Sequence, residues 1–109
     1  MLDEKARNPL GLAWVDLVGK YVLVGLTRQD TRGTVLERRQ FHGHIVSADP
    51  RSGITLMLAG AREGETYCLP PDLRSLNPAR AGEYRLRGTQ EIVRDPDYLA
   101  TWVIEQPDA

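Results

Sequence analysis

The residues of this chain best suited to chemistry are His42 and His44, in the stretch RQFHGHIV over residues 39–46. They flank one glycine in a β-rich run. On a strand, residues two apart project from the same side, so the imidazoles would share a face with their Cα atoms about 6.5–7 Å apart. Two neutral imidazoles at that spacing suit zinc, copper or nickel. A closed structural site needs four ligands, and only Cys68, Glu37, Asp49 or a neighbouring subunit could complete one. The competing assignment puts Phe41, Gly43 and Ile45 on the inward face and leaves both histidines outward, on a solvated or interfacial surface.

Other reactive side chains lack a supporting context. Ser47, Ser52 and Ser75 sit in no G-x-S-x-G elbow, and no glycine loop of the phosphate-cradling kind is present. Cys68, between Tyr67 and Leu69, reads as a small core residue, because unactivated buried thiols are inert. Glu83 and Glu91 suit solvated strand ends as well as an acid/base pair. The expectation is therefore no catalytic residue, no cofactor and a non-enzymatic protein. Arg38, Arg39, Arg85, Arg87 and Arg94 fall in segments that could be neighbours. If they faced one way they could hold a phosphate or an acidic partner, but Arg38 and Arg39 are adjacent and must point to opposite faces.

Composition sets the frame for these residues. A chain of 109 residues has room for one core, and 41% hydrophobic with 27% charged residues is ordinary for a folded domain. A formal charge of −1 argues against non-specific nucleic-acid binding, which depends on surplus cations. All but Lys5 and Lys20 of the 14 basic residues are arginine. The single cysteine cannot form an internal disulfide. No basic-then-apolar leader and no run of about 18 apolar residues is seen, so a soluble cytoplasmic protein without a membrane partner is expected.

The hydrophobic pattern sets the framework around these residues. Residues 1–8 are polar and expected to be loose, residues 9–105 form a single domain, and residues 106–109 are expected to fray. Asn8-Pro9 reads as a helix cap, with Leu10, Trp14, Leu17 and Val18 on one helical face and Gly19 as the terminator. Then KYVLVGLT reads as a strand, and the run TVLERRQFHGHIVSAD would extend about 50 Å if straight, so it must bend, split or fold back near its middle. Gly43 marks the bend. Turns at Asp49–Gly53 and AREGE bracket the strand ITLMLAG. PPDLRSLNPARAG fits a single 3-10 turn at Asp72–Leu76 with Leu73 and Leu76 inward. EYRLRGTQEIVR and YLATWVIE complete five or six strands. Trp102 alternates with Ala100 and Ile104 while Leu99, Thr101 and Val103 take the other face, so the last strand is apolar on both sides. That pattern suits burial or an edge that pairs with another subunit.

FHGHIVSADPRSGITL resembles the first motif of the Sm-like proteins, with Gly43, Ile45, Asp49, Ile54 and Leu56 at the matching places. Leu86-Arg87-Gly88 is similar to the end of the second motif. The resemblance covers about residues 9–60 and implies a small, strongly bent barrel preceded by a helix; the 3-10 turn before the last strands resembles SH3-like barrels. Where Sm-like proteins read RNA bases this chain carries Arg51 and Gly53, so a base-stacking aromatic and an amide are replaced. Together these readings predict a mainly β fold, a small strongly bent antiparallel barrel. The expected function is a non-enzymatic module acting through protein contacts, self-associating by a strand edge at Leu99, Trp102 and Ile104. An Sm-like RNA-binding ring, with Arg51 and Arg87 as anion contacts, and a metal-binding barrel using His42 and His44 are the alternatives.

Overall fold

A computed structural model describes residues 14–106. The fold is mainly β, a sheet curled into a half-barrel. Its strands are β1 (Tyr21–Asp30), β2 (Val35–Asp49), β3 (Gly53–Leu58), β4 (Thr66–Leu69), β5 (Leu76–Pro78), β6 (Glu83–Arg85), β7 (Ile92–Arg94) and β8 (Tyr98–Gln106). Six of them form one sheet in the order β4-β3-β2-β1-β8-β5, and β6 and β7 form a separate hairpin. The stretch EYRLRGTQEIVR is thus two short strands and their turn. All pairings are antiparallel except β1–β8, which is parallel. The strongly bent, mainly antiparallel sheet is as expected; its one parallel pair arises because the β6–β7 hairpin intervenes after β5 and the chain then re-enters the sheet between β5 and β1.

Of the expected N-terminal helix, the described part is a 3-10 turn, Trp14–Leu17. The Asn8-Pro9 cap and Leu10 lie outside the described residues, as do the segments 1–8 and 107–109. Leu17 is fully buried and Trp14 packs on the core, but Val18 is exposed, which a continuous helical face would not allow. Gly19 terminates the turn with φ +90°, and its N–H donates to the Ile45 carbonyl at 2.7 Å. The 3-10 turn at Leu73–Ser75 is as expected: Asp72 caps it by accepting from the Arg74 N–H at 3.0 Å, and Leu73 and Leu76 are buried.

β2 remains a single strand of 15 residues and bends rather than splitting. It pairs with β1 from Val35 to His44, but with β3 only from Gly43 onward, with a bulge between Ile45 and Ser47. The bend needs Gly43. A Cβ there would fall on the Met57 carbonyl oxygen and lie 2.9 Å from Leu58 Cα, so β3 closes onto β2 only because no side chain intervenes. The concave face gathers Val22, Val24, Leu26, Phe41, Ile45, Ile54, Leu56, Leu58, Leu69, Tyr98 and Ala100 into the main core. The convex face carries a smaller cluster, Leu23, Leu86 and Val93, where the β6–β7 hairpin covers the sheet.

Two glycines of this sheet should respond oppositely to substitution. Gly43→Ala should cost about 1–3 kcal/mol, because the added methyl meets backbone that cannot give way, whereas Gly25→Ala, with nothing within 4 Å of its Cβ, should change stability by less than about 0.5 kcal/mol. Urea unfolding midpoints of the two variants check this; equal losses would contradict the close approach at Gly43.

Candidate functional site

Phe41 and Ile45 point inward and the two histidines point to the opposite, convex side, as alternation requires. That side is not uniformly solvated. The hairpin covers His42, which is 6% exposed, while His44 is exposed. His42 Nδ1 lies 2.6 Å from the Tyr21 hydroxyl and Nε2 lies 3.0 Å from Glu91 Oε1. With Glu91 ionised, the neutral ring that satisfies both contacts donates from Nε2 to the carboxylate and accepts at Nδ1 from the Tyr21 O–H. The Tyr21 ring also stacks on His44, with centroids 4.7 Å apart. Burial, and behind it the charge of Glu91, raises the Tyr21 hydroxyl above its ordinary pKa, so it stays a proton donor.

Glu91 is the node of this arrangement. Its carboxylate is held down to about 2 by the Thr89 hydroxyl first and then by His42, with the Ala61 N–H adding to the effect against an opposing cost of burial. The Ala61 N–H reaches Oε1 at 3.0 Å. Glu91 thereby ties the loop leading into β7 to the Gly60–Arg62 turn and to β2. Gly60 makes room for it: a Cβ at Gly60 would land on Glu91 Oε1 and 2.7 Å from His42 Nε2. Both ring nitrogens of His42 are thus engaged, and among the described residues no group of three His, Cys, Asp or Glu gathers as a metal would need. Of the ligands that could have completed a site, Glu37 pairs with Arg28 and Arg39, and Asp49 accepts from the Arg51 and Ser52 N–H groups in the β2–β3 turn. Glu91 and Gly60 were not legible as partners of His42, since both come from distant turns.

Cys68 is exposed rather than a core residue. On β4 it alternates with Tyr67 and Leu69, which take the inward face, and its Sγ rests 3.3 Å from the Ser52 carbonyl. The five arginines divide: Arg39 pairs with Glu37 at 2.6 Å and Arg94 with Glu83 at 3.0 Å, whereas Arg38 and Arg87 line one cavity. Arg51 stays at the β2–β3 turn, and Arg87 sits in the β6–β7 turn, on other elements of the fold. Arg62 lies over the Phe41 ring, 5.2 Å from its centroid, and pairs with Glu65.

The outer edge of the sheet presents a second feature. β5 pairs with β8 only through Tyr98–Ala100, so Thr101–Gln106 has β1 on one side and no strand among the described residues on the other. Of the three interface candidates, Leu99 packs under the hairpin and Trp102 against the main core, while Ile104 is 41% exposed. Val103, on the other face, is 59% exposed and belongs with Ile104. The opposite edge, on β2 before Gly43, also has no partner strand among the described residues and is dense in charge, with Glu37, Arg38 and Arg39. Among the described residues no helix is long and apolar enough to cross a membrane. The chain matches no family model, no curated protein and no solved structure.

The histidine node carries two expectations. Tyr21→Phe leaves His42 Nδ1 without its donor and should cost about 1–3 kcal/mol. The Glu91 carboxyl is depressed from 4.5 to about 2, so its stabilisation is complete above about pH 4.5 and is lost as pH falls towards 2. Urea midpoints of the parent and Glu91→Gln should therefore differ at pH 6 and converge near pH 2.5; a gap independent of pH would contradict the assignment.

Proposed function

We propose that this protein is a non-enzymatic assembly module that pairs with a second copy of itself through β8. The observation that carries the reading is the edge at Thr101–Gln106, which has no partner strand among the described residues and is a run with no proline, no lysine or arginine and no bulge. Soluble proteins ordinarily guard such an edge with one of those devices, because its free N–H and C=O groups template another strand. The β2 edge carries that protection and the β8 edge does not.

The sequence of the edge suits a second copy of the chain. In an antiparallel pairing about a two-fold axis at Val103, Thr101 faces Glu105, Trp102 faces Ile104 and Val103 faces itself. No like charges are opposed, and an aromatic residue meets a β-branched one, a favourable cross-strand combination. Such an isologous contact closes on itself as a dimer. It would join β2-β1-β8 of the two copies into one continuous sheet and cover Val103 and Ile104, which a monomer leaves exposed.

A catalytic use of the Tyr21–His42–Glu91 node is less well supported, because the histidine is buried and both its nitrogens are spoken for. Light scattering on a size-exclusion column should give twice the 12.2 kDa chain mass, and Val103→Lys, which sets two cations face to face on the axis, should return the protein to monomer. A monomer at all concentrations, or a dimer indifferent to Val103→Lys, would reject this reading. A high 260-to-280 nm absorbance ratio across the peak would favour an RNA-bound assembly in its place.

A further inference from the structure

On the convex face, beyond the hairpin, the sheet holds a cavity of about 320 Å³ lined by Gly25, Thr27, Arg38, Gln40, Arg87, Gly88 and Thr101 among others. Its depth comes from Gly25. The cross-strand neighbours of that residue are Gln40 on β2 and Thr101 on β8, so the one position without a side chain lies between two that have them. The β6–β7 turn forms the wall. Buried Leu86 anchors that turn, the Arg87 N–H donates to Gln40 Oε1 at 2.9 Å, and the Arg87 carbonyl accepts from Gln90 Nε2 at 3.0 Å. The backbone of Arg87 is thus tied on both sides while its guanidinium forms no ion pair among the described residues.

Arg38 likewise has no acidic partner among the described residues, in contrast to Arg28, Arg39, Arg62, Arg74 and Arg94, each of which is paired. Among the described residues no aspartate or glutamate lines this cavity or the open one of about 410 Å³ beside it, which shares Arg38, Arg39, Gln40 and Gly88 and adds Arg62. In a chain of net charge −1, two guanidiniums with no acidic partner among the described residues therefore line one concave, partly apolar site. Guanidinium forks match the oxygens of phosphate and carboxylate groups, and the hydroxyls of Thr27 and Thr101 add donors. Among the described residues no aromatic side chain lines either cavity to stack a nucleobase.

We propose that the groove between Arg38 and Arg87, floored by Gly25, binds a small phosphorylated molecule through its phosphate oxygens. The volume lies at the lower end of the range typical of small-molecule sites, which fits a compact ligand.

The test uses inorganic pyrophosphate as probe, titrated calorimetrically into the full chain at low ionic strength. Arg38→Ala and Arg87→Ala should each weaken binding by tenfold or more. Gly25→Val leaves both cations in place and fills the floor, and it should abolish binding; nothing lies within 4 Å of a Cβ at Gly25 or at Gly88, so Gly88→Leu serves if Gly25→Val does not fold. Saturable one-to-one binding lost in the arginine and blocking variants supports the site. No saturable binding, or binding weakened by the arginine variants but untouched by a folded blocking variant, overturns it, the latter because the probe would then be following surface charge alone. Tighter binding of a uridine oligonucleotide with the same variant dependence would also overturn it, replacing the small ligand with RNA.

Discussion

The structure depends on the unequal pairing of β2. β1 follows this strand through nine residue pairs, whereas β3 reaches it only from Gly43 onward, where the missing side chain lets the Met57 and Leu58 backbone close in. On the closed side of that glycine the sheet curls around the main core. On the open side β2, β1 and β8 continue as a three-stranded extension whose outer edges have no partner among the described residues. The radius of gyration of 14.7 Å exceeds the roughly 13 Å expected for a compact chain of this length, in keeping with such an extension. Both surfaces proposed to act lie on it, the β8 edge and the arginine groove.

The histidine node secures the boundary between the two regions. His42 sits one residue before Gly43, and through Glu91 it fastens the β6–β7 hairpin over the convex face where the curl begins. A buried polar ring is tolerable there because both nitrogens find partners, and Glu91 meets donors from β2 and the Gly60 turn at once. The hairpin held in this way also presents Arg87. Structural and proposed binding features are therefore linked through a few hydrogen bonds, although His42 itself touches neither the β8 edge nor the groove.

Much of the fold was legible because it rests on local signals. The length of the TVLERRQFHGHIVSAD run together with Gly43 required a bend, the 3-10 turn at Leu73–Ser75 followed from proline spacing and two leucines, and alternation assigned the faces of β8. What escaped were properties set by distant segments. Cys68 looked like core until β4 proved to put Tyr67 and Leu69 inward. The parallel β1–β8 pairing depends on the route taken after β5, which no periodicity encodes. His42 was expected on a solvated or interfacial surface because its partner Glu91 comes from about fifty residues later in the chain. Likewise Arg38 and Arg87 form one groove through a glycine on β1 that no short motif would single out.

The central claim is that Thr101–Gln106 is a strand edge completed by a second copy of the chain. Amide hydrogen exchange of this segment, followed across a dilution series, tests it most directly. Protection of alternate amides that is present at high concentration and lost on dilution is the expected result. Fast exchange at every concentration would mean that nothing pairs with the edge, and protection unchanged by dilution would mean that the chain covers its own edge; either would contradict the account.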